Sequence, residues 1–147
     1  MLESDFSREL LWALNDLDQY SHFNKICDRF QVGMPDIIGC FEGKYVGIEV
    51  KHVHELLMDK AQPRLHKFSP IQIVQLGKIA KAGGAALGII ACGVTGFLFN
   101  YTEIDAKTGR IENLSSGVTT GKINKFDVRE KVIVKQLIRN YCEAKHG

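Results

Sequence analysis

Residues 33–51, GMPDIIGCFEGKYVGIEVK, decide the fold of this chain. The stretch consists of two short apolar segments separated by Glu42-Gly43, a pair that is typical of a two-residue β-turn. We therefore predict a β-hairpin whose pairing places Asp36 directly opposite Glu49. Each strand then carries an acid where a buried strand normally carries an apolar side chain.

The two faces of this hairpin differ in character. Successive side chains of a strand point to opposite faces, so Asp36, Glu49 and Lys51 share one face. Two carboxylates opposed across a hairpin repel each other unless something compensates them, and a divalent cation does this well because hard cations prefer oxygen ligands. The pattern therefore predicts a cation site on the polar face. The opposite face is apolar and consists of Ile37, Phe41, Val46, Ile48 and Val50.

Composition is that of an ordinary globular protein. The chain has 147 residues, of which 45% are hydrophobic and 24% charged, and this predicts one domain over residues 1–147 with its own core. No apolar run approaches the roughly 18 residues of a membrane span, and the polar start MLESDFSREL is unlike a signal peptide. The four cysteines lie far apart, which favours reduced thiols. We expect a cytoplasmic protein, in a host cytoplasm if the gene is phage-encoded, with no membrane partner.

Charge is unevenly distributed along the chain. Residues 1–50 hold four Lys and Arg against nine Asp and Glu, whereas residues 51–147 hold 15 against eight. This is the distribution expected if a cation site lies beside a phosphate-binding surface, although an accidental asymmetry accounts for it equally well. Two basic groups are candidates for DNA contact, a loop and the outer stripe of a C-terminal helix. They comprise Lys60, Arg64 and Lys67 in the loop, and Lys131, Lys135 and Arg139 on the helix.

Helices are predicted on either side of the hairpin. Residues 4–18 show an apolar stripe at helical spacing, with Glu9 at its edge, where the side chain reaches either a metal or, as periodicity favours, solvent. Ser69 and Gln72 form a capping box that opens a helix ending near Ala82. Residues 85–92 form a continuous apolar strand, and the helix before it makes that strand parallel to the one ending at residue 51.

The C-terminal third is predicted from weaker signals. Residues 104–112 indicate a small hairpin and residues 115–121 a polar loop. A second capping box at Asp127 and Glu130 predicts the start of a final helix. The inner side of that helix is predicted to comprise Val132, Ile133, Gln136, Leu137 and Tyr141.

The ordered set of Glu9 on a helix, Asp36 after Gly-x-Pro, Glu49-Val50-Lys51 and the capped Gln72 resembles the PD-(D/E)xK nuclease superfamily. Within it, the set is most similar to the VRR-NUC type and to Holliday-junction resolvases. The resemblance covers about residues 5–92. It implies an α/β fold, with a mixed central β-sheet flanked by helices and a restriction-endonuclease-like α-β-β-β-α-β core.

The resemblance also implies the roles of the site residues. Asp36, Glu49 and the backbone carbonyl of Val50 would bind Mg²⁺, for which Mn²⁺ could substitute, and Lys51 would orient or deprotonate the attacking water or stabilise the charged phosphorane. Glu9 would support a second metal ion or its water shell. Gln72 would position the lysine or the scissile phosphate, although its capping role already explains its presence.

Three functions are compatible with these residues. The first is a Mg²⁺-dependent DNA endonuclease that cuts branched DNA such as Holliday junctions in recombination and repair, as a homodimer because each chain has one site. The second is a repair or restriction-type nuclease on linear or flapped DNA. The third is a non-catalytic DNA-binding module with the same fold. The remaining alternative is an α/β domain in which Asp36 and Glu49 are edge-strand surface residues that bind no Mg²⁺. No motif for reading base sequence is visible, so sequence-specific recognition is not predicted.

Overall fold

A six-stranded mixed β-sheet with helices on both faces forms the body of the protein. The structure, a computed structural model, describes residues 3–15, 21–26, 33–54, 67–111 and 114–143. None of the helices in these ranges is long and apolar enough to cross a membrane. The strands are β1 (Ser21–Lys25), β2 (Ile37–Phe41), β3 (Lys44–His52), β4 (Ala85–Cys92), β5 (Thr95–Asn100) and β6 (Ile123–Asp127). The helices are α1 (Glu3–Asn15), α2 (Pro70–Lys81), α3 (Leu114–Thr120) and α4 (Lys131–Glu143), with one 3₁₀ turn at Tyr101–Glu103.

The strands lie in the sheet in the order in which they occur in the chain. β3 and β4 are parallel and every other neighbouring pair is antiparallel, as the crossover through α2 requires. The elements α1-β1-β2-β3-α2-β4 follow the predicted α-β-β-β-α-β order, and the predicted fold class is confirmed.

The hairpin between β2 and β3 has the predicted register. Phe41 pairs with Lys44 and Ile38 with Gly47 across the turn. Glu42 and Gly43 both have positive φ, 49° and 85°, as a type I′ two-residue hairpin turn requires. Pairing begins at Ile37, so Asp36 lies at a bend immediately before β2.

Two apolar clusters cover the two faces of the sheet. The cluster under α1 and α4 contains the predicted apolar face of the hairpin, which consists of Ile37, Phe41, Val46, Ile48 and Val50. The cluster under α2 and α3 contains Leu76 and Leu114. Glu49 and Lys51 therefore point toward the α2 side, as strand alternation predicts.

The start of α2 agrees with the sequence. Ser69 is the N-cap, its hydroxyl accepts a hydrogen bond from the Gln72 backbone N–H at 3.2 Å, and the Gln72 side chain accepts one from the Ser69 N–H at 2.9 Å. Pro70 occupies the first turn, where its missing N–H costs nothing. The predicted capping box is confirmed.

The predicted orientation of α4 was wrong in part. The helix begins at Lys131, because the Asp127 carboxylate binds the backbone and guanidinium of Arg129 instead of capping a helix. Val132 is 71% exposed, whereas Lys135 is only 8% exposed. Lysine can be buried in this way because its aliphatic stem packs like an apolar side chain. Ile133 and Gln136 are also exposed, and the buried residues are Val134, Lys135, Ile138 and Cys142.

Two other C-terminal predictions were also wrong. Residues 114–120 form α3 instead of a loop, because Leu114 is fully buried and Gly117 lets the helix approach Ile123 of β6 closely. Residues 104–111 form a closed turn without strands, in which the Asp105 N–H binds the carbonyl of Arg110 at 2.9 Å.

Candidate metal centre

The two acids of the hairpin lie beside each other at a notch in the sheet. β3 continues to His52, whereas its partner β2 begins only at Ile37, opposite Ile48. Residues 49–52 of β3 thus extend beyond the paired part of β2, and Asp36 occupies the bend next to them. The Asp36 Oδ2 atom accepts a hydrogen bond from the Val50 backbone N–H at 2.9 Å, which fixes this carboxylate against β3.

Glu49 is the most unusual residue of the site, because its carboxylate is buried. It is 3% exposed in the middle of a strand. Its Oε1 atom accepts a hydrogen bond from Gln72 Nε2 at 3.1 Å and lies 3.8 Å from Lys51 Nζ. Its Oε2 atom is buried and has no hydrogen-bond partner in the described part of the chain. For the ionised carboxylate, such a buried oxygen is costly unless a water molecule or a cation binds it.

The pKa of Glu49 is raised to about 8, chiefly by burial and then by the negative charge of Asp36, while the positive charge of Lys51 acts to lower it. A protonated Glu49 can donate a hydrogen bond to Asp36, which also raises the pKa, whereas two ionised carboxylates can only accept. A divalent cation between the two groups would remove this repulsion and favour the ionised form of Glu49.

The site opens into a cavity of about 500 Å³. Five residues predicted from sequence lie together in its wall, Asp36, Glu49, Val50, Lys51 and Gln72. Carboxylate oxygens are the ligands that Mg²⁺ prefers, and such sites leave positions for water and substrate phosphate. The donor set of the cavity therefore fits a divalent cation, with Asp36, Glu49 and the Val50 carbonyl as the groups that would hold it.

Glu9 is the predicted metal residue that the structure does not bring to this cavity. The α1 residue in the cavity wall is Ser7, which is buried. Residues two apart on an α-helix point about 160° away from each other. Ser7 and the half-buried Glu9 therefore flank the core-facing stripe of Phe6 and Leu10 on opposite sides. The role of Glu9 as a metal ligand stays a prediction.

We expect Glu9→Gln to leave Mg²⁺ affinity within about twofold of the original, because the Glu9 carboxylate does not line the cavity. Isothermal titration calorimetry with Mg²⁺ and Mn²⁺ measures this directly. Asp5→Asn on the same helix is a matched control for the loss of one surface charge. A loss of affinity confined to Glu9→Gln would show that this carboxylate does reach the ion.

Lys25 and His52, like Ser7, line the cavity although they were not predicted as site residues. Strand alternation places His52 on the α1 side, where its ring meets Phe6 edge to face with centroids 5.9 Å apart. Lys25 ends β1 opposite Ile37 and lies on the same side. The notch explains why these residues were missed, because side chains from both faces meet where β2 has not yet begun. The sequence signal available was the excess length of the second hairpin strand.

None of the predicted DNA-contact residues that the structure describes lines the cavity. Lys60 and Arg64 lie outside the described residues, and Lys67 is exposed just before α2. On α4, Lys131 Nζ lies 3.4 Å from the centre of the Trp12 ring, and Arg139 binds Glu42 at 2.9 Å, so both take part in contacts within the chain. Lys135 is buried, so its assignment to an outer stripe was wrong. DNA contact by any of these residues stays a prediction.

Gln72 links the helix cap to the site, and its replacement tests that link. We expect both Gln72→Ala and Ser69→Ala to destabilise the protein by about 1 kcal/mol through loss of the cap. Only Gln72→Ala removes the hydrogen bond to Glu49, so only it should weaken Mg²⁺ binding, by about tenfold to 100-fold. Thermal unfolding and calorimetry separate the two effects. Equal Mg²⁺ affinity in both variants would contradict the link.

The fold has a counterpart among solved structures. Hjc, a Holliday junction resolvase from the archaeal hyperthermophile Archaeoglobus fulgidus, superimposes with a TM-score of 0.57 over 86% of this chain and 97% of its own, at 18% sequence identity. The chain shares the fold of this resolvase. The predicted resemblance in fold is therefore confirmed. No protein-family model and no curated protein matches the sequence. At this identity the likeness establishes the resolvase fold alone, and the chemistry must be argued from the cavity.

Proposed function

We propose that this protein is a metal-dependent endonuclease that hydrolyses phosphodiester bonds of branched DNA. The observation that carries the proposal is the buried Glu49 carboxylate, opposed to Asp36 and left with an unsatisfied oxygen. A purely structural domain gains nothing from burying the Glu49 carboxylate beside a second carboxylate, because the desolvation cost is not repaid. The fold shared with a Holliday junction resolvase supports DNA as the substrate.

The residues of the cavity divide the chemistry between them. Asp36 and Glu49, with the Val50 carbonyl, would hold Mg²⁺ or Mn²⁺, and the ion when bound supplies Lewis-acid stabilisation and an activated water. Lys51 would orient that water or neutralise charge that develops on the phosphorus oxygens. Gln72 holds Glu49 in position through its 3.1 Å hydrogen bond. Lys25 adds a second positive group to the cavity wall, where a DNA phosphate could pair with it.

A four-way junction must be cut in two strands to be resolved symmetrically. Each chain has one pair of Asp36 and Glu49, so we propose that two copies act together as a homodimer. Sedimentation with and without junction DNA tests this stoichiometry. A monomer on the cleaved junction would contradict the dimer while leaving the cleavage chemistry in place.

The decisive experiment compares substrates. The protein is incubated with labelled four-way junction, flap and linear duplex in Mg²⁺ or in EDTA, beside Lys51→Ala as the inactive reference and Asp5→Asn as the surface control. We expect Mg²⁺-dependent cleavage of the junction by the original protein and by the control only. Cleavage of linear duplex as readily as of the junction would contradict a resolvase activity and indicate a general nuclease. Binding without cleavage of any substrate would favour a non-catalytic module.

A further inference from the structure

Phe68 connects the site to the C-terminal part of the chain. This residue precedes the N-cap of α2 and is 1% exposed. Lys51 Nζ lies over its ring, 5.5 Å from the centroid, within the range of a cation–π interaction. The Phe99 ring meets Phe68 edge to face with centroids 5.9 Å apart, which fixes the orientation of the face presented to Lys51.

The position of Lys51 depends on this ring because its contact with Glu49 is loose. Nζ lies 3.8 Å from Glu49 Oε1, which is longer than a hydrogen bond. The ammonium group is therefore held by two attractions, the charge of Glu49 and the face of the Phe68 ring. Lys51 therefore lies beside Oε1, while Oε2 has no hydrogen-bond partner in the described part of the chain.

A turn between β5 and α3 holds Phe68 in place. The Phe68 N–H donates to the Gly109 carbonyl at 2.6 Å. Asp105 closes the turn, since its carbonyl accepts from the Gly109 N–H at 2.7 Å and its carboxylate accepts from Lys107 and Thr108. Gly109 has φ of 73°, and a methyl group at this position would collide with the Phe68 carbonyl oxygen. The turn thus requires glycine for both conformation and space.

We propose that Phe68, anchored by the Gly109 turn, is a positioning residue that holds the Lys51 ammonium group for the cleavage step. The inference rests on the proposed nuclease function. It assigns the turn at residues 105–110, which the sequence did not connect with the site, to the support of Lys51. The ring acts through its negative face and its fixed orientation, and it does not touch substrate.

Fluorinated phenylalanines at position 68 separate this role from simple packing. Successive fluorine atoms withdraw negative charge from the ring face while nearly preserving its shape. We expect kcat for junction cleavage to fall stepwise, by up to about tenfold with the most fluorinated ring, with KM nearly unchanged. Thermal unfolding of each fluorinated variant checks that folding is preserved.

Replacement of Gly109 tests the anchor independently. Gly109→Ala should displace Phe68 and lower kcat, whereas Gly121→Ala should not. Gly121 is a matched control because its φ of 81° imposes the same backbone strain but a methyl group there meets nothing within 4 Å. Similar losses of kcat in both variants would show a general effect of strain and would overturn the anchoring role of the turn.

Nuclear magnetic resonance of the metal-free chain provides a readout that does not depend on cleavage. The Lys51 side-chain signals, assigned with Lys51→Arg, should be shifted by the ring current of Phe68 and return toward ordinary positions in Phe68→Leu. Cleavage by the original protein with no response of kcat to fluorination would overturn the role of the ring alone. Absence of cleavage by the original protein would overturn the proposed function and, with it, this role.

Discussion

Asp36→Asn is expected to lower Mg²⁺-dependent cleavage by more than about 100-fold, since even residues that only support a metal ligand cost 10–100-fold when lost. The Asn side chain keeps an oxygen that can accept the hydrogen bond from the Val50 N–H, so the bend before β2 should persist. Single-turnover cleavage of a labelled junction measures the loss of activity, and calorimetry with Mg²⁺ measures the accompanying loss of metal affinity. Asp5→Asn, in a surface ion pair with Arg8, is the matched control.

The same substitution should stabilise the metal-free protein. Asp36 raises the pKa of Glu49 through its negative charge, and at pH 9 the two ionised groups repel each other. Removal of one charge should raise the free energy of unfolding by about 1 kcal/mol at that pH. A gain in stability together with a loss of metal binding indicates a metal-ligand site. Replacement of an acid that stabilises the fold would instead lower the free energy of unfolding. Undiminished cleavage by Asp36→Asn would contradict the proposed centre.

The stability of the metal-free protein is expected to fall as pH rises from about 4.5 to about 8. The pKa of Glu49 is raised from 4.5 to about 8 in the folded chain. Within this window the folded state keeps a proton that the unfolded state has released, so the free energy of unfolding declines by at most about 1.4 kcal/mol per pH unit. Below this window both states are protonated, and above it both are ionised, so the contribution of Glu49 is constant outside it.

Urea unfolding in EDTA between pH 5 and pH 9 measures this decline. Glu49→Gln is the control, because it preserves the size of the side chain, removes the titration of Glu49 and retains every other titratable group. Mg²⁺ should restore stability at pH 8, since a ligand that binds only the folded state adds to its stability. A decline of the same slope in Glu49→Gln would show that another group is responsible.

Local chemistry allowed the framework of the site to be predicted. The turn residues Glu42 and Gly43 select a two-residue connection, and this connection fixes the pairing of the whole hairpin. The period of two then assigns Glu49 and Lys51 to one face. The capping box of α2 was equally local, since Ser69 and Gln72 lie three residues apart on the same turn.

The rotation of helices could not be predicted in the same way. On α1 the sequence drew attention to Glu9, whereas packing turned Ser7 into the cavity wall. On α4 the apolar Val132 is exposed and Lys135 is buried. A helix can rotate about its axis by a fraction of a turn without losing its internal hydrogen bonds. Packing against the sheet therefore decides which side chains are buried.

By itself, the sequence determined the hairpin register, the polar face with Glu49 and Lys51, the capped helix and the parallel crossover, because each depends on residues close together in the chain. Only the tertiary structure decided that Glu49 is buried with one unsatisfied oxygen, that a notch in the sheet brings Lys25 and His52 to it, and that Phe68 lies beneath Lys51. These features depend on where strands end and on contacts between distant segments. The spacing of apolar residues and the helix and strand propensities of residues depend only on neighbours along the chain.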